Sequence, residues 1–134
     1  MDVRVGTDII SVARIESLES QHGDRFLRRW FTDEELTYCR SKARPSLHLA
    51  ARMAAKEAVA KVLRAPWSGP VPWSHVEITL DASGAPSVRL SGEPLEIAQG
   101  QGLGSISVSL AHCDDFATAT AVCLVPDALH DDSV

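Results

Sequence analysis

The chain has 134 residues, 45% hydrophobic and 23% charged, with a formal net charge of −5. That length accommodates a single core, the composition excludes a disordered chain, and no apolar run approaches the ~20 residues that span a bilayer. Residues 1–64 hold twelve of the thirteen Lys and Arg and carry +3, whereas residues 65–134 carry −8. The run Arg14, Arg25, Arg28, Arg29, Arg40, Lys42, Arg44 and Arg52 offers a surface for an anionic partner, although charges scattered over solvated helix faces are the plainer reading.

Val3 to Ile10 alternates as a strand ending near Asp8. Val12, Ile15 and Leu18 then recur at helical spacing, predicting a helix over 11–21 that Gly23-Asp24 breaks. Arg25 to Phe31 reads as a brief amphipathic helix or turn. Thr32-Asp33-Glu34-Glu35 has the form of a capping box and predicts a helix to about Arg40. Pro45-Ser46 opens the longest helix, over 47–63, rich in strong helix formers and free of internal Gly and Pro. Pro66, Gly69, Pro70 and Pro72 make a loop that closes the helical half.

The second half changes texture. Val76 to Leu80 and Ser87 to Leu90 flank the turn Asp81-Ala82-Ser83-Gly84 as a hairpin, and Glu93 to Gln99 is helical. Ser105 to Leu110 alternates with its apolar face on even numbers, His112 to Asp115 is a polar turn, and Phe116 to Val125 is a long apolar strand. The expected class is α+β: one domain over 1–125 with helices on one face of a mainly antiparallel sheet, then a frayed acidic tail over 126–134.

Few residues suggest chemistry when taken singly. Asp8, close to a helix start, reads as an N-cap. Glu57 and Lys61 read as an exposed i,i+4 pair, although Ala54, Ala55, Ala58 and Ala60 leave little bulk around them. A carboxylate and an ammonium one turn apart also suit Mg²⁺ with a phosphate, since Mg²⁺ takes one or two carboxylates, phosphate oxygens and water. His112 reads as a turn residue or as a contact to phosphate or adenine. Three cysteines without C-x-x-C spacing fit a reducing cytoplasm rather than a zinc site or disulfides, and the start lacks a signal peptide. No P-loop, nucleophile elbow or nucleic-acid motif is present.

Together the motifs resemble the holo-acyl-carrier-protein synthases, the short phosphopantetheinyl transferases. Val5-Gly6-Thr7-Asp8-Ile9-Ile10 with Arg14-Ile15 resembles that family's G-x-D-I-x…R-I opening. Arg25-Phe26 and Phe31-Thr32-Asp33-Glu34-Glu35-Leu36 resemble its R-F…L-T-x-x-E-L segment. Residues 49–61, LAARMAAKEAVAK, are similar to the signature L-A-x-R-F-A-A-K-E-A-x-x-K. Residues 73–90 resemble its W-x-D-I-E-I…G-x-P hairpin, and Ser107 to His112 its closing V-S-x-S-H strand.

The resemblance implies a cytoplasmic homotrimer with active sites between subunits. Asp8 and Glu57 would hold Mg²⁺ against the pyrophosphate of coenzyme A. Lys61 and Arg52 would contact phosphate, Arg44 the 3′-phosphate, and His112 the nucleotide end. Arg14, Arg25 and Arg29 would face an acidic acyl carrier protein. The carrier serine would attack the β-phosphate, and Glu57, or a water held by Asp8 or Glu57, would take its proton. Met53 stands where the family has Phe, Ala111 where it has Ser, and Arg64-Ala65-Pro66-Trp67 where it is glycine-rich. These departures point to substrate fit, with Met53 expected beside the pantetheine. A binding module without catalysis and a purely structural subunit are the rival readings. The retained Asp8, Glu57 and Lys61 speak against the first, and the five ordered motif matches against the second.

Overall fold

The computed structural model describes residues 1–65 and 67–127. In chain order the elements are β1 (Asp2–Ser11), α1 (Val12–His22), α2 (Asp24–Trp30), α3 (Asp33–Arg40), α4 (Pro45–Leu63), β2 (Val76–Leu80), β3 (Pro86–Leu90), α5 (Gly92–Gly100), β4 (Ile106–His112) and β5 (Phe116–Val125). Each expected element is present, with boundaries shifted by a few residues. The expected tail lies largely outside the described residues, from residue 128 onward.

β1, β5 and β4 form an antiparallel sheet with β5 in the centre, Asp8 opposite Ala119 and Ala119 opposite Leu110. Alternation turns Ala117, Ala119, Ala121 and Cys123 of β5 inward, where they are buried against α4. α4 meets them with Ala50, Ala51, Ala54, Ala55 and Ala58, all buried. Small residues on both surfaces let the helix lie close to the sheet. The approach is closest at Gly6 of β1, where a Cβ would stand 2.1 Å from the carbonyl oxygen of Ala58. Only glycine fits there.

Local signals set the helix ends. Thr32 Oγ1 accepts from Glu35 N at 3.2 Å and Glu35 Oε1 accepts from Thr32 N at 2.9 Å, the expected capping box. The cap of α1 is Ser11, whose hydroxyl accepts from Arg14 N at 3.1 Å. The reading of Asp8 as that cap is therefore corrected. Strand β1 runs on to Ser11 and leaves Asp8 three residues short of the helix. At the far end of α4, Arg4 donates to Val62 O at 3.0 Å and Gln101 to Leu63 O at 2.7 Å, satisfying carbonyls that the helix leaves open.

The single sheet expected from sequence is in fact two, because β2 and β3 pair only with each other. Side chains, not a further strand, satisfy the outer edge of β2. Lys56 Nζ donates to Val76 O at 2.6 Å, and Ile78 N donates to Glu35 Oε2 at 3.0 Å. Lys56 and Glu35 are themselves a fully buried ion pair at 2.9 Å. Lys56 also donates to Trp73 O at 3.0 Å, and Thr32 Oγ1 donates to Glu77 Oε2 at 2.7 Å. Burial lowers the Lys56 pKa, and the Glu35 carboxylate opposes that only in part. The network fastens α3, α4 and the hairpin together, a role the sequence did not disclose.

Replacing Lys56 strands Glu35 in the core. Lys56→Met is expected to lose about 3–5 kcal/mol in urea unfolding. A loss below about 1 kcal/mol would mean the pair does not clamp the hairpin.

Candidate active site

The same alternation that buries Gly6 turns Asp8 toward α4. On α4, Glu57 and Lys61 lie one turn apart. Lys61 does not pair with Glu57 as the exposed-pair reading supposed. Its Nζ donates to Thr7 O at 2.7 Å and lies 3.5 Å from Asp8 Oδ1. Asp8 Oδ2 is buried and has no hydrogen-bond partner. The carboxyls of Asp8 and Glu57 face each other closely enough to share a proton. Burial first, and then Asp8, push the Glu57 pKa up to about 7, against the opposite pull of Arg14 and Lys61.

Two facing carboxyls, one with an orphaned buried oxygen, fit a hard divalent cation. Mg²⁺ needs only one or two protein carboxylates when phosphate and water complete its shell. Among the described residues no cluster of three or more His, Cys, Asp or Glu offers a fuller ligand set. Lys61 sits beside the dyad and brings an ammonium to it.

Arg14, Arg25 and Arg29 converge. With Leu18, Phe26 and Trp30 they line a groove of about 460 Å³ between α1 and α2. Their neighbours Arg28 and Arg40 are tied to Asp33 and Asp24, whereas these three form no ion pair among the described residues. Trp30 stacks on Trp73 with centroids 4.3 Å apart, which steadies the wall of the groove. Arg14 joins this groove to the dyad, since its charge acts on Glu57.

A second basic region lies around the start of α4 and the end of β4. Arg52 is buried, with its guanidinium 4.3 Å over the Tyr38 ring. The His112 ring is 5.8 Å from that of His48, a residue that sequence reasoning missed. His48 precedes Arg52 by four residues and so shares its helix face, the one signal that could have flagged it. Arg44 stands apart from this pair of rings. It donates to Asp114 O at 2.9 Å in the β4–β5 turn, and Asp114 Oδ1 is 3.4 Å away.

The expected site residues other than Arg44 thus gather in two places. Asp8 belongs to β1 and His112 to β4, the two edges of the sheet, roughly 10 Å apart across β5. The expectation for Met53 is corrected: it is fully buried in the core, because its helix face turns inward with Ala50 and Ala54. Within the substituted loop, Ser68 Oγ donates to Glu93 Oε2 at 2.6 Å, and Pro66 lies outside the described residues.

A helix laid on an antiparallel sheet, with a carboxylate from each facing across the contact, is thus the frame of the candidate site. The chain belongs to the 4'-phosphopantetheinyl transferase superfamily, which it matches over residues 4–121. Its place within that superfamily is among the holo-[acyl-carrier-protein] synthases. One of these, from Protochlamydia amoebophila, is 43% identical over 91% of this chain and 98% of its own length. The crystal structure of the holo-[acyl-carrier-protein] synthase of Neisseria meningitidis superposes with a TM-score of 0.79 at 35% identity, over 90% of this chain and 96% of that one. That of Helicobacter pylori, solved in complex with coenzyme A, gives 0.78 at 30% identity, over 90% and 100%.

The Glu57 shift carries a sign. A carboxyl whose pKa is higher folded than unfolded destabilises the fold as it ionises, so stability falls as pH rises from 4.5 to about 7 and then levels. In EDTA, thermal unfolding of wild type is expected to show that slope, and Glu57→Gln to remove it. An unchanged slope in the variant would place the perturbed group elsewhere.

Proposed function

We propose that the chain transfers 4′-phosphopantetheine from coenzyme A to a serine of an apo acyl carrier protein in a Mg²⁺-dependent reaction, releasing 3′,5′-ADP. The observation that carries this reading is the pair of facing Asp8 and Glu57 carboxyls beside Lys61, with Asp8 Oδ2 buried and given no donor. Asp8 and Glu57 are the residues that would hold Mg²⁺, which when bound neutralises pyrophosphate charge. Lys61 binds a phosphoryl oxygen, where charge grows as the transfer proceeds.

The serine oxygen attacks the β-phosphorus, the bond to the oxygen bridging toward the α-phosphate breaks, and that oxygen leaves with the nucleotide. Glu57, its carboxyl poised near neutrality, or a water held by Asp8 or Glu57, receives the serine proton. The unpaired Arg14, Arg25 and Arg29 receive an acidic carrier protein in their groove, and Arg14 leads its serine toward the dyad. Arg52, His112 and Arg44 take the nucleotide end. In that reading Arg44 exchanges its exposed Asp114 partner for phosphate, a small loss in water.

The outer face of the sheet supports a homotrimer. Val3, Val5 and Ile9 of β1 and Phe116, Val122 and Leu124 of β5 are exposed there, and the residues of the three strands that face outward include none with a charge. Such a face is an association surface. A neighbouring copy seated on it would bring one chain's β4 edge to another's β1 edge, uniting the two halves of the site. Residues 1–125 form the transferase domain. No helix of the described residues is long and apolar enough to cross a membrane, and three unpaired cysteines accord with a reducing cytoplasm.

Intact-mass spectrometry tests the reaction. Apo acyl carrier protein incubated with the chain, coenzyme A and Mg²⁺ should gain one phosphopantetheine arm, and EDTA should prevent it. Asp8→Ala and Glu57→Ala should each reduce transfer by at least about 10²-fold while remaining folded by circular dichroism. Near-normal transfer by either variant would contradict the metal assignment.

A further inference from the structure

On the far side of α4 from the dyad, a buried guanidinium lacks an anion. Arg52 is 3% exposed, its Nε has no partner, and Nη1 reaches only His48 O at 3.4 Å. No carboxylate pairs with it among the described residues. A charge so placed strongly favours a ligand that completes it.

Two carboxylates, Glu34 and Glu35, border a second cavity that Arg52 also lines, and Glu35 is already paired with Lys56. The other groups around it are cationic or neutral. From α3 come Tyr38 and the Cys39 thiol, which burial pushes up to about 11 and so keeps protonated. Lys42, just after α3, lies 4.7 Å from the Tyr38 ring centroid. Lys56 is committed to Glu35. His48 stands edge-on to Tyr38 at 6.1 Å and to His112, at the end of β4, at 5.8 Å. Tyr38, His48, Arg52 and His112 border one cavity of about 450 Å³, room enough for a phosphorylated nucleoside.

We infer that His48 binds a phosphate monoester in this cavity together with Arg52 and His112, and so sets the preference for donors that carry a 3′-phosphate. The inference rests on the transferase reading, in which the nucleotide end of the donor reaches Arg52 and His112, and it places the 3′-phosphate here rather than at Arg44, which borders a different cavity. A phosphate monoester is close to a dianion at neutral pH and needs more than one cation to replace its water. Arg52 offers a fixed fork, and the two imidazoles offer N–H donors from another element and another turn.

Titration follows from the same arrangement. The groups facing His48 are Tyr38, Lys42, Arg52 and His112. In the empty cavity, burial first and then Arg52, His112 and Lys42 lower its pKa. A bound dianion opposes those charges, so binding takes up a proton and weakens as pH rises through the imidazole range.

The test is kcat/KM for coenzyme A and for its 3′-dephosphorylated form at about pH 6 and about pH 8, in wild type, His48→Phe and His48→Gln. Phenylalanine keeps the ring contacts to Tyr38 and His112, and glutamine keeps a polar donor without the charge. At about pH 6 both variants should show a preference for the phosphorylated donor about tenfold below wild type, the order of one charge-assisted hydrogen bond. By about pH 8 that gap should close for glutamine. Unchanged preference in both variants, with wild type transferring normally, would overturn the role of His48. Wild type that transfers nothing would overturn the transferase reading itself.

Discussion

The backbone contact between Gly6 and Ala58 sets the distance on which the rest of the structure depends. With a Cβ position 2.1 Å from a carbonyl oxygen, β1 can lie this close to α4 only because residue 6 has no side chain. Two residues on, the pleat turns Asp8 to the same side. One residue before Ala58 and three after it stand Glu57 and Lys61. The separation of strand and helix is therefore also the separation of the two carboxyls, and the alanines of α4 and β5 hold it along the whole contact.

That closeness explains why the site is electrostatically unsettled. Asp8 keeps an oxygen without a partner, and Glu57 is driven toward the neutral form, although an ammonium lies within reach of Asp8. A fold selected for stability alone would pair these groups or replace them. The contrast with Lys56 and Glu35 is instructive. That pair is more deeply buried, yet Lys56 meets two backbone carbonyls as well as the carboxylate, and Glu35 accepts from two backbone amides. One buried charge cluster is closed and holds elements together, while the other leaves an oxygen open.

Much of this was legible in the order of residues. Alternation in 3–10, the capping box at Thr32 and the unbroken helix through Lys61 depend on near neighbours, and all three appear as expected. The joint approach of Asp8, Glu57 and Lys61 was legible only through the family resemblance, since each alone had a plainer reading. What the sequence hid depends on contacts between distant segments. The hairpin became a separate sheet because Lys56 and Glu35, on two helices, occupy its edge. Met53 proved to be core because its helix face, not its place in a motif, decides what it touches. His48 gained its meaning from Arg52 and from His112, sixty-four residues away in sequence.

We propose that strand and helix are held at the separation a divalent cation needs. Crystals grown with coenzyme A and Mn²⁺ in place of Mg²⁺ test it directly, because Mn²⁺ scatters anomalously and favours the same oxygen ligands. The account predicts one anomalous peak within about 2.0–2.3 Å of Asp8 Oδ2 and of a Glu57 carboxylate oxygen. A peak coordinated by other residues, or none in crystals where coenzyme A is fully bound, would contradict it.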